Sequence, residues 1–90
     1  MSGLRDWLAE EAPGALLADG FEDAIVGVAV RCSQPPLVVY DTEHCLRILV
    51  AGGMSREEAE EYFDFNVAGA WVGPGTPLFL TRIPDDEEDA

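Results

Sequence analysis

Lysine is absent from this 90-residue chain, and all five of its basic residues are arginine. Schiff-base catalysis and a phosphate-binding P-loop lysine are therefore excluded outright. Five cations against eighteen acids leave a net charge of −13. Such a balance argues against direct nucleic-acid binding, whose affinity comes mainly from cations meeting phosphates. It argues equally against an anionic membrane surface. No apolar run approaches the roughly 18 residues of a membrane span. The acidic N-terminus lacks the basic-then-apolar pattern of a signal peptide, so a soluble protein of the cytoplasm is expected. Cysteine is scarce too: Cys32 and Cys45 do not make a disulfide framework, and two free thiols are expected. The chain has no GxGxxG, GxSxG, HExxH or CxxC motif. No cofactor or metal is expected, and the enzyme question leans towards no.

Ninety residues make one domain with a core near the practical lower limit. Apolar residues are 48% of the chain, which places it well inside the globular regime. Residues 1–84 read as a single domain, with 13 acids against 5 bases, and residues 85–90 as an acidic, disordered tail.

Residues 4–12 read as a short helix, capped by Ser2, stopped by Pro13 and Gly14, and docked through Trp7. Residues 25–31 (IVGVAVR) are apolar on both alternating faces, the signature of a central strand covered on both sides; a buried helix is the competing reading. Residues 37–40 (LVVY) read as a second strand after Pro35 and Pro36. Asp41 or Thr42 caps a helix that runs to about Ala51 and stops at Gly52 and Gly53. Ser55 with Glu58 is a capping box for a third helix reaching about Ala68, and residues 78–83 return as a strand. The order predicts an α+β fold: a small, mainly antiparallel sheet of about three strands packed against a helical hairpin, with a short N-terminal helix.

The third helix carries two residues out of place. Ala59, Tyr62, Phe63, Asn66, Val67 and Ala70 share one arc at 100° per residue, which sets Asn66 near the centre of the apolar face. Its amide either ties a loop to the helix or floors a pocket. Phe65 falls among acids, between Glu58 and Glu61 on the wheel. It is either an interface anchor with a charged rim or a side chain covered by Leu4, Trp7 or another segment of the same chain. Trp71 raises the same question. Glu57, Glu61 and Asp64 form an outer acidic row, which is a solvated face or a contact for a basic protein partner.

Residues 40–45 (YDTEHC) lie where a strand meets a helix, a setting suited to ligands. Tyr40, Asp41 and His44, together with Asn66, are the candidates for a small-molecule site. A Cys–His nucleophile pair is disfavoured, because His44 and Cys45 are adjacent on a helix and their side chains diverge by about 100°.

Asp19 to Phe21, Gln34 to Pro36, Tyr40 with Asp41, Cys45, the block EYFDFNVAGAWVG at 61–73, and Thr76 with Pro77 resemble a family of small uncharacterised proteins of tailed phages and prophages. The resemblance covers roughly residues 19–80, and its most specific part is that block. It implies a small accessory protein acting in the host cell cytoplasm. It brings no activity and no residue roles. Three functions follow as expectations: a non-enzymatic binding module for a host or phage protein, an oligomeric binder of a nucleotide signal, or a minor virion or assembly component. The first is favoured, and a homo-oligomer is compatible with all three.

Overall fold

The computed structural model describes residues 3–84, so the Ser2 cap and the tail at 85–90 lie outside the described residues. Helix α1 (Gly3–Glu11) leads through a short 3-10 turn into strand β1 (Ile25–Ala29). Strand β2 (Leu37–Asp41) runs directly into α2 (Thr42–Ala51), which is followed by α3 (Arg56–Phe63) and β3 (Leu78–Leu80). The α+β class holds, with three strands and three α-helices among the described residues.

The sheet is mixed, in the order β1-β2-β3. The short connection at 30–36 reverses the chain, so β1 and β2 are antiparallel, with Val28 opposite Val38 and Ala29 opposite Leu37. The return from β2 passes through α2 and α3, and that crossover delivers β3 parallel to β2, with Tyr40 opposite Phe79. The IVGVAVR segment is thus an edge strand, not the central one. It stops at Ala29, and none of its residues is fully buried. LVVYD takes the centre because it alone has neighbours on both sides. Apolar character on both faces of a segment reports burial demand, not position in the sheet.

One face of the sheet carries the core. Val38, Tyr40 and Phe79 point to it, and Leu8, Phe21, Cys45, Leu46, Ala59 and Phe63 pack there from the surrounding elements. Tyr40 is fully buried. Its ring stacks on Phe79 at 5.6 Å, and Phe63 meets Phe79 edge-on at 5.2 Å. Such aromatic geometry adds to plain area burial. The Tyr40 hydroxyl accepts a 2.7 Å hydrogen bond from the Ala18 N–H, which satisfies its polar atom in the core. Burial raises its pKa above the ordinary phenol value.

Helix α1 docks through Leu8 and then Ala12, one turn on, while Trp7 is 44% exposed. Leu8 points inward, and the 100° step between neighbours turns Trp7 away from that line. Helix α2 is capped by Asp41, whose Oδ2 accepts a 3.0 Å bond from the His44 N–H. It buries Cys45 and Leu46 and ends at Gly52 and Gly53, the latter at φ 119°. Burial pushes the Cys45 thiol up to about 11, helped by the charge of Asp41. A thiol held protonated is a core residue, not a nucleophile.

A candidate partner-binding surface on the third helix

Helix α3 begins with a closed capping box. The Ser55 hydroxyl accepts from the Glu58 N–H at 3.1 Å, and the Glu58 carboxylate accepts from the Ser55 N–H at 2.9 Å. Arg56 then clamps the start of the helix to α2. Its two terminal nitrogens reach the two Glu43 oxygens at 2.8 and 2.9 Å, while its Nε donates to Glu60 at 2.8 Å. These hydrogen bonds hold the Glu43 carboxyl below the usual range, and the charges of Arg56 and Arg47 add to the effect. The pairs are solvated, so they orient the helix more than they stabilise it.

Beyond this clamp the character of the helix changes. Ala59 and Phe63, four residues apart, are its buried positions. After Phe63 the coil widens into a π turn, Asp64–Ala68, in which no residue is buried. An extra residue per turn breaks the 100° phase on which the placement of Asn66 relied. Asn66 is exposed, at the wall of a groove, and the apolar line runs through Ala59, Phe63 and the half-buried Val67 instead. Water can satisfy the Asn66 amide there. π turns recur at functional positions because they re-aim side chains without ending the helix.

The π turn ends at Gly69. A Cβ there would lie 2.6 Å from the Asp64 carbonyl oxygen, so this close approach requires glycine. The following loop is fixed by Thr76. Its hydroxyl accepts from the Val72 N–H at 2.9 Å and donates to the Gly73 carbonyl at 2.6 Å. Leu16 N–H donates to Gly75 O at 3.0 Å and ties the loop to the segment after α1.

Phe65 is 75% exposed and Trp71 is 74% exposed, so neither Leu4 nor Trp7 covers them. Phe65, Tyr62 and Asn66 line a shallow groove with Met54, Glu58 and Glu61. Trp71 does not line it. Glu57, Glu61 and Asp64 are exposed, and among the described residues none of the three has an ion-pair partner. The groove thus sets Met54, Tyr62 and Phe65 beside the carboxylates of Glu58 and Glu61, and of these two only Glu58 is engaged, by the Ser55 N–H. Met54, Glu58 and Tyr62 belong to this groove although the sequence reading left them out. Their signal was present in the helical spacing of Met54, Glu58, Tyr62 and Phe65 along one side.

The other candidate corner is occupied by the fold's own bonds. Tyr40 is enclosed in the core, and Asp41 is 8% exposed. One Asp41 oxygen serves His44 N–H, and the other accepts from Arg82 Nε at 3.0 Å. His44 is half-buried on α2, and none of these three lines the α3 groove. Cys32 is exposed and Cys45 buried, as free thiols. Among the described residues no group of three or more His, Cys, Asp or Glu is arranged to hold a metal ion. No helix there is long and apolar enough to cross a membrane. Compared with protein-family models, curated proteins and solved structures, the chain matches none of them.

Proposed function

We propose that this protein is a non-enzymatic binding module that engages a protein partner through the exposed side of its third helix and the π turn that follows it. In this reading Phe65 is the anchor. It enters an apolar pocket on the partner, while Glu57, Glu61 and Asp64 meet arginine or lysine side chains around it. The observation that carries the reading is Phe65 itself, 75% exposed on a π turn and rimmed by acids. An exposed aromatic with a charged rim is the composition of a binding hot spot. Trp71, on its braced loop, is a second anchor for a partner broad enough to reach it. The resemblance to tailed-phage proteins makes the partner a host or phage protein, and the setting the host cytoplasm.

Affinity capture with wild type and with the Phe65→Ala, Glu61→Arg double variant tests this. The partner should be retained by wild type and lost by the variant, with identical circular dichroism for both proteins. The loss should be at least about tenfold in Kd, as for an aromatic hot spot worth about 2 kcal/mol. Binding should also weaken in salt, because the rim contacts are solvated. Undiminished capture by the variant would remove the α3 surface from consideration.

A further inference from the structure

The core occupies one face of the sheet, and the composition of the other face is informative. Strand register and alternation place Gly27, Ala29, Leu37, Val39, Leu78 and Leu80 on it. None has a polar side chain. A sheet face meant for water carries the polar residues of its strands, and these six positions carry none. It is also uncovered. Leu78 is 44% and Leu80 40% exposed, and Val26, the extra residue of the β1 bulge beside Gly27, is 46% exposed. A Cβ built on Gly27 would meet nothing within 4 Å. At the end of the face lies Asp41, whose charge is already answered by Arg82 at 3.0 Å.

We infer that this face is the contact for a second copy of the chain, two sheets packing face to face across a twofold axis. Charge selects the occupant. Each copy carries −13, so most other contacts between copies would set carboxylate against carboxylate. Strands β1 and β3 hold no charged residue, and β2 holds only the paired Asp41. A basic foreign protein is drawn to the acidic surface of α3 and finds nothing complementary here. An isologous contact, by contrast, opposes apolar residues to their own kind. Size sets its strength. Three strands at about 4.8 Å spacing and up to five residues at about 3.3 Å rise span roughly 14 by 17 Å. That is well below the approximately 800 Å² per partner of a standard interface, so the dimer is weak and concentration-dependent.

Sedimentation velocity of the full chain over a wide concentration range, in low and high salt, tests the inference. The wild type should pass from monomer to dimer, and salt should promote the dimer by screening the −13 charges. That dependence is opposite in sign to the one expected of a basic partner on α3. Gly27→Glu is the discriminating variant, because its side chain has room in the monomer and its φ lies outside the left-handed region. It should keep the wild-type circular dichroism and weaken dimerisation at least about tenfold, since pairing would bury an unpartnered carboxylate. Leu78→Glu should do the same from the other edge. A wild type that stays monomeric throughout would overturn the inference. So would a dimer that survives both substitutions, or one abolished by Phe65→Ser, which would place the contact on α3.

Discussion

Two ends of one helical hairpin behave oppositely. At the strand–helix corner three of the four chemically interesting side chains are consumed by the fold: Tyr40 by Ala18 N–H, Asp41 by His44 N–H and Arg82, and Cys45 by burial. At the far end of α3 the aromatics and carboxylates have no such duties. Phe65 and Trp71 face solvent, and Glu61 and Asp64 have no cation among the described residues. Residue type alone would have ranked the corner first, with its tyrosine, aspartate, histidine and cysteine. Satisfaction of hydrogen-bonding and charge reverses the ranking, because a group already bonded within the fold has little left to offer a partner.

The contrast can be broken by mutation. Tyr40→Ala should have the largest effect: about 3–5 kcal/mol of stability, from a cavity and an orphaned Ala18 N–H. A melt would show a fall of more than about 12 °C or an unfolded chain. Gly69→Ala should cost about 1–3 kcal/mol, because its Cβ must push the Asp64 carbonyl away and disturb the π turn. Loss of partner binding with only partial loss of stability would tie the turn to function. Cys45 predicts a smaller, pH-dependent effect. Its folded pKa of about 11 lies above that of an unfolded thiol, so the native state keeps a proton that the unfolded state releases. Stability should be flat below the ordinary thiol pKa and fall as pH rises towards 11, and Cys45→Ala should flatten that limb in urea titrations. Cys32, exposed, should react at once with a thiol reagent while Cys45 waits for unfolding. Least of all, Phe65→Ala should change stability by no more than about 0.5 kcal/mol, as for an exposed site. A penalty comparable to Tyr40→Ala would show that Phe65 is covered in solution.

The parts of this structure legible in the sequence are the local ones. The Ser55 and Glu58 box, the Asp41 cap and the Gly52 and Gly53 stop each depend on contacts within a few residues, and each is found where the residues place it. The rank of the strands was not legible, because β1 and LVVYD look equally apolar and only the arrival of β3 decides which is central. Trp7 misled through size, since a large side chain suggests a dock where the smaller Leu8 makes it. Asn66 misled through phase: the helical wheel holds to Phe63 and fails in the π turn that follows. The exposure of Phe65, by contrast, was foreshadowed by the acids around it.

The parallel pairing of β2 with β3 also has a kinetic consequence. Val28 meets Val38 across a short reversal, but Val39 must wait for Leu78, with two helices in between. Local pairings close quickly and distant ones slowly. The β1–β2 pair and the α2–α3 hairpin can therefore form while β3, three residues long, is still unplaced. On the ribosome β3 emerges after all three α-helices described here, and until it docks the β2 edge and the ring of Tyr40 lack their partner Phe79. A nascent chain halted before residue 78 would hold α1, α2 and α3 and still present an open, apolar strand edge to its neighbours.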